Sequence, residues 1–201
     1  MSKIVDLKKG QFSSHVKKAL KSLSDGYFIA LPAEHGYVYV VDAFNKHGVR
    51  SMQHLRGADD GVTAQIAIKN IEVAHGIVRE IPPKAVELVE KHWPGLFTLV
   101  VRPHRQLEWD LGDENKLDEI AIRSPKAKFF KAVVEKSEPL AFVSVAASGM
   151  PPVLNPKLIP NLGEEPTFIF SNGILRKGPK STIVRAIGGT VDVMRKGAVT
   201  I

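Results

Sequence analysis

The stretch Pro82-Pro83-Lys84-Ala85-Val86-Glu87-Leu88-Val89-Glu90-Lys91-His92-Trp93-Pro94-Gly95-Leu96-Phe97-Thr98-Leu99-Val100-Val101-Arg102 decides the architecture. Pro83 suits the first turn of a helix, where its missing N–H has no intrahelical bond to lose. Pro94-Gly95 ends that helix, and residues 96–102 form a short apolar run of strand length. Helix passes to strand across a two-residue break, and the same alternation extends outward on both sides. Toward the N-terminus, Ser13 or Ser14 is the expected cap of a helix with Val16, Ala19, Leu20 and Leu23 on one stripe and Gly26 as its stop. Strands are predicted at 27–31 and 37–41, a helix over about 46–56 ending at Gly57, and a strand over 62–68. Asn70 then caps a helix carrying Ile71, Ala74, Ile77 and Val78. Toward the C-terminus come a strand at 119–123, a helix near 126–136 and a strand at 140–145. A loop rich in Pro and Asn follows over 150–166, and strands near 167–171, 181–185, 190–194 and 197–201 finish the chain. Gly188-Gly189 is the hairpin turn among them. This order predicts an α/β fold with a twisted sheet of mixed parallel and antiparallel strands, flanked by helices. No repeat and no long linker divides the chain, so one domain over residues 1–201 is expected.

Composition fits that reading. The 201 residues suffice to bury roughly 70% of the extended-chain surface. Hydrophobic residues are 44% and charged residues 24%, with a mean hydropathy of -0.04. These values exclude a disordered or collagen-like chain. Cysteine is absent, which removes disulfides, thiolate metal sites and a cysteine nucleophile together. The start Met1-Ser2-Lys3-Ile4-Val5-Asp6 lacks the apolar core of a secretory signal, and no apolar run approaches 18 residues. A cytoplasmic protein without a membrane partner is expected.

Lys plus Arg number 28 against 21 acids, a formal charge of +7. Such a surplus favours anionic partners, nucleotides or RNA. Its placement is uneven. Arg176, Lys177, Lys180 and Arg185 lie between Pro166 and Val191 with no acid among them. Glu108, Asp110, Asp113, Glu114, Asp118 and Glu119 face only Lys116. A basic segment turned to a ligand and a merely solvated face are both open readings.

Standard chemical motifs are missing. Gly173-Ile174-Leu175-Arg176-Lys177-Gly178-Pro179-Lys180-Ser181-Thr182 approaches a phosphate-binding loop, but Pro179 shifts the lysine and lacks the N–H a phosphate cradle uses. Ile183-Val184 after it reads as strand. The seven histidines include no pair at helical i, i+4 spacing, so no protein metal site is expected. What remains is a set of polar residues at strand ends: His35, Arg123, Ser144, Ser181 and Arg195. In open α/β sheets ligands collect at such ends. Each residue alone also fits a structural role, such as an arginine capping carbonyls.

The order of short motifs resembles the Sua5/YciO/YrdC family. Its Pro-Thr-x-Thr-x-Tyr segment corresponds to Pro32-Ala33-Glu34-His35-Gly36-Tyr37, followed by Asp42-Ala43. Its Trp-Pro-Gly-x-x-Thr segment corresponds to Trp93-Pro94-Gly95-Leu96-Phe97-Thr98. Then come Arg123-Ser124-Pro125, the loop Ser144-Val145-Ala146-Ala147-Ser148-Gly149, the strand Ser181-Thr182-Ile183-Val184 and the turn Arg195-Lys196-Gly197. The resemblance runs from about Ser14 to Ile201 and implies a YrdC-like domain around a basic cavity.

It also implies a chemistry, that of threonylcarbamoyl-AMP synthase. ATP, L-threonine and bicarbonate become threonylcarbamoyl-adenylate and pyrophosphate, for N6-threonylcarbamoyladenosine in tRNA. By the resemblance, Arg56, Ser144 and Arg195 border ATP, while His35, Arg123 and Ser181 border threonine. Mg2+ is expected on the nucleotide phosphates and no protein nucleophile is expected. Four positions depart from the family pattern: Ala58 where a phosphate-handling arginine is expected, Ala146 for the loop asparagine, and Ala33 and His35 for two threonines. Arg56 stands in for the family lysine. These departures keep two alternatives open: a protein binding double-stranded or structured RNA or tRNA without this turnover, and a carbamoyl transferase with another acceptor.

Overall fold

A computed structural model describes residues 3–57, 62–113, 116–137, 139–159 and 168–201. Among them, β1 (Lys3–Asp6), β2 (Ile29–Pro32), β3 (Tyr37–Asp42), β4 (Gln65–Ala67), β5 (Phe97–Val101), β6 (Ile120–Arg123), β7 (Leu140–Ser144), β8 (Phe168–Ser171), β9 (Thr182–Ile187) and β10 (Thr190–Arg195) form one sheet. Its order is β1-β8-β2-β3-β7-β4-β6-β5-β9-β10. Parallel pairs (β1 with β8, β2 with β8, β4 with β6, β5 with β9) are mixed with antiparallel ones (β2 with β3, β3 with β7, β4 with β7, β5 with β6, β9 with β10). The predicted mixed α/β architecture is the observed one.

Five α-helices among the described residues flank the sheet: α1 (Phe12–Ser24), α2 (Lys46–Leu55), α3 (Ile71–Ile77), α4 (Pro83–His92) and α5 (Lys128–Val134). Strand alternation divides the core between the two faces. Tyr37, Tyr39 and Val41 of β3 join Val49, Met52 and Ala85 of α2 and α4 in one cluster. Val38 and Val40 join Val16 and Ala19 of α1 and Phe129, Phe130 and Val133 of α5 in the other.

The segment around Pro94 ties three elements together. The Trp93 indole N–H donates to the Phe97 carbonyl at 2.8 Å, and Gly95 N–H donates to Ser124 O at 2.9 Å. A Cβ on Gly95 would lie 2.6 Å from His92 O, so no larger residue fits this turn. The Trp93–Pro94 peptide is cis.

Several predicted boundaries move, each for a physical reason. Ser13 and Ser14 do not cap α1; the helix begins at Phe12 after Gln11, with no side-chain cap. Phe12 is recruited by packing edge-on against Phe129, centroids 5.9 Å apart. The strand predicted over 62–68 shrinks to β4, because Val62 O accepts from Gln53 Nε2 and Ala64 N–H donates to Leu111 O, away from the sheet. Residues 197–201 are not a strand. The Thr182 hydroxyl takes both the N–H and the carbonyl of Val199 that a ladder would use. β1 was not expected; it is a short edge strand with Ile4 56% exposed, and carries no alternating signal. The expected 150–166 loop holds a 3₁₀ turn at Pro156–Leu158, and its residues 160–166 lie outside the described set. Asn70 caps α3 as expected, accepting from Val73 N–H. Gly188 and Gly189, at φ 60° and 82°, make the two-residue turn between β9 and β10.

Candidate functional site

One half of the α1/α5 face carries no helix among the described residues, and there the sheet becomes polar. Val38 pairs with Ser144, Gln65 with Phe142 and Ala67 with Arg123, while Thr98 and Ser181 lie side by side further along. A cavity of about 230 Å³ opens over this row. His35, Arg56, Arg123, Ser144, Ser181 and Arg195 all line it. The structure thus brings together every residue placed at the site by sequence. Ala58 lies outside the described residues, so its departure has no structural reading.

Each side chain is delivered by a different element. His35 sits in the loop between β2 and β3, whose Gly36 leaves no room for a side chain: a Cβ there would lie 2.7 Å from Pro152 Cβ. Tyr37 pins the loops above. Its N–H donates to Val153 O at 2.9 Å and its hydroxyl to Gly173 O at 2.7 Å, and burial pushes its pKa up. Arg56 follows the last turn of α2, and its carbonyl accepts from Ser148 N–H. Ser144 ends β7 and its Oγ accepts from Ala146 N–H at 3.2 Å. A bulge in β10 between Val193 and Arg195 turns Arg195 onto Ser181. There Nε donates to Ser181 O at 3.0 Å and Nη2 to Ser181 Oγ at 2.9 Å. Thr98 Oγ1, fully buried, donates to the same Ser181 Oγ at 3.1 Å. The Gly197 backbone closes the arrangement from outside, since a Cβ on it would meet Lys180 O at 2.4 Å.

Electrostatically the wall is cationic. Arg56, Arg123, Lys180 and Arg195 line it. Burial pushes the pKa of Arg56, Arg123 and Arg195 down, the cost of holding charge out of water. His35 is also held below the ordinary imidazole value, first by burial and then by Arg123, Arg195 and Lys180, with Glu34 opposing. Three buried nitrogens of wall residues, His35 Nδ1, Arg56 Nε and Arg123 Nε, have no hydrogen-bond partner among the described residues. Such groups are costly in a folded protein unless a ligand or water completes them. Two of the three are guanidinium donors. The arrangement suits a small anion with several acceptor oxygens.

Sequence reasoning missed Lys180, Gln65 and Thr63 in the wall, and Glu34 and Thr98 behind it. Lys180 was passed over with the failed phosphate loop; its place in an acid-free basic run was the available signal. Among the described residues no cluster of three or more His, Asp or Glu could hold a metal, and no helix is long and apolar enough to cross a membrane.

Comparison with known proteins adds to this geometry. The model of the Sua5/YciO/YrdC family, described as telomere recombination, matches residues 21–197. A Mycobacterium tuberculosis (strain H37Rv) protein named "Putative threonylcarbamoyl-AMP synthase" is 27% identical over 191 residues, 94% of this chain and 87% of that one. The threonylcarbamoyl-AMP synthase of Pyrococcus abyssi is 26% identical across 84% of this chain, which spans half of that protein. Among solved structures, P. abyssi Sua5 complexed with L-threonine superposes with a TM-score of 0.84 at 22% identity, over 98% of this chain and 57% of that one. Escherichia coli YciO superposes with a TM-score of 0.83 at 20% identity, over 98% and 96% of the two chains. At these identities the structural likeness is one of fold.

Proposed function

The chain belongs to the Sua5/YciO/YrdC family, and from that premise we propose that residues 1–201 act in the cytoplasm as one threonylcarbamoyl-AMP synthase-type domain. ATP, L-threonine and bicarbonate are the proposed substrates, and threonylcarbamoyl-AMP for tRNA modification the product. One observation carries the reading: four cationic side chains line one small cavity, and two of them, with His35 beside them, hold a buried nitrogen without a partner among the described residues.

The chemistry asks for little more than charge and position. Threonine amine and bicarbonate combine to a carbamate with loss of water. A carbamate oxygen then attacks the α-phosphorus of ATP and pyrophosphate leaves. Arg123 receives the amino-acid carboxylate, and Ser181 borders it. Arg56, Arg195 and Lys180 offset the phosphate charge, with Mg2+ travelling on the nucleotide. Ser144 lies between the two ligands. The cavity walls shield the labile mixed anhydride from water.

The test is pyrophosphate release from ATP and bicarbonate, with and without L-threonine. Release that requires threonine and falls about 10²–10³-fold in Arg123→Ala is the expected result, the range for loss of one preorganised donor. Absence of release, together with salt-sensitive binding of double-stranded RNA, overturns it in favour of an RNA-binding role. A second reading has its own observation. His35 lines the cavity with its Nδ1 buried and unpartnered among the described residues where the family carries a threonine hydroxyl, and Ala33 offers none. That favours a carbamoyl acceptor other than threonine, recognised by turnover that another amine or hydroxyl compound stimulates.

A further inference from the structure

Arg123 is a long cation with its side chain 1% exposed, and a guanidinium so placed has orientations to lose. Its Nη2 donates to Glu34 Oε2 at 2.6 Å. The other oxygen of the same carboxylate accepts from the backbone N–H of Lys126 at 2.6 Å. Glu34 thereby fastens the loop after β2 to the turn after β6, gripping Arg123 and the backbone three residues beyond it. The guanidinium also lies over the Phe142 ring, 5.3 Å from the centroid. Among the described residues the cavity wall includes Arg123 but not Glu34, so the carboxylate stands behind the arginine and does not compete for the ligand's place. The Nε, in contrast, is buried with no partner among the described residues. The carboxylate also keeps this deeply buried cation charged, opposing the effect of burial.

We propose that Glu34 is a positioning residue: through Nη2 it fixes the orientation of the Arg123 guanidinium in the cavity wall, set for a carboxylate ligand. This rests on the proposed threonine site. A guanidinium already held by a carboxylate has less freedom left to lose when it takes a ligand. Glu34 acts through Arg123 and touches no substrate.

The experiment has one arm that needs the proposed activity and one that does not. In steady-state assays of the full chain, Glu34→Gln should raise KM for L-threonine about tenfold or more and leave KM for ATP within about twofold, the cost of losing a charged hydrogen-bond partner. Glu34→Asp, one methylene too short to reach both Arg123 and Lys126 N–H, should fall between. On an Arg123→Ala background Glu34→Gln should add nothing, because the arginine through which it acts is gone. A folded Glu34→Gln whose threonine KM is unchanged, or whose effect adds fully to Arg123→Ala, overturns the proposal. The second arm reads the Arg123 Nε–H resonance of 15N-arginine-labelled protein without any substrate. A restricted side chain in the parent that becomes mobile in Glu34→Gln and Glu34→Asp is the expected result, and equal mobility in all three overturns the role. If threonine-dependent turnover is absent while this mobility difference is present, the proposed function fails and the positioning role stands.

Discussion

One face of one sheet is finished in two ways. Across β2, β3 and β7, α1 and α5 lay Val16, Ala19, Phe129, Phe130 and Val133 on Ile29, Leu31, Val40 and Phe142, and the contact is hydrocarbon throughout. Across β4, β6, β5 and the start of β9 the same face presents Gln65, Arg123, Thr98 and the preceding Ser181, and no helix among the described residues covers them. The covered half is stabilised by area removed from water. The open half is organised by hydrogen bonds and ion pairs that hold charge out of solvent, an arrangement that contributes little net stability. The helices set the border of the site by where they stop.

Substitutions that treat the halves alike should show this most clearly. Phe130→Ala removes a fully buried ring that meets Phe142 edge-on at 5.5 Å, and should lower unfolding stability by about 3–5 kcal/mol, read from denaturant midpoints. In the open half, Glu34→Gln alone leaves Arg123 buried and unpaired and should cost a similar ~3–5 kcal/mol. Replacing both partners, Glu34→Met with Arg123→Met, should recover that loss and can exceed the parent by about 1–4 kcal/mol, while abolishing threonine-dependent pyrophosphate release. A double variant both inactive and stable marks the pair as kept for the ligand. One as unstable as Glu34→Gln shows the open half to be as structural as the covered one.

A smaller effect probes how the open half is closed at its rim. Gly197→Ala places a Cβ against Lys180 O and the Ser181 backbone. Overpacking of this kind should cost about 1–3 kcal/mol. It should also displace Ser181, which Arg195 grips at two atoms, so affinity for pyrophosphate should fall with stability. Calorimetric titration with pyrophosphate checks it.

The two halves were also unequally legible. The covered half follows from local patterns: the stripe of α1 and the continuous apolar run of β3 mark what is buried. For the open half, His35, Arg123, Ser144, Ser181 and Arg195 were found at strand ends, and Arg56 through the family resemblance. Their partners were not. Glu34 and Arg123 are 89 residues apart, and Thr98 and Ser181 are 83 apart. A charge whose partner is that distant looks, in one dimension, like any surface acid. The misread tail at 197–201 has the same origin, for a side-chain hydroxyl of Thr182 replaces the ladder bonds and no propensity records it.

The finest distinction between the halves is their response to acid, and it falls on His35. Burial above all, and then Arg123, Arg195 and Lys180, push its pKa down, and Glu34 alone among its charged neighbours pushes it up. The folded state therefore binds the imidazole proton more weakly than the unfolded chain, whose ordinary value is 6.5. Between the folded value and 6.5 the unfolded state carries more protons, so stability should decline as pH falls through that window and be full above it. His92 is displaced in the same sense, by burial and then Lys91, so His35→Gln should remove only part of the slope. Pyrophosphate bound in the cavity would offset the three cations and bring His35 back toward its ordinary value. The pH dependence assigned to His35, taken as parent minus His35→Gln, should therefore shrink when thermal unfolding is repeated with saturating pyrophosphate. A His35 contribution that pyrophosphate leaves unchanged would place the anion away from this imidazole, and with it the polar half of the sheet away from the ligand.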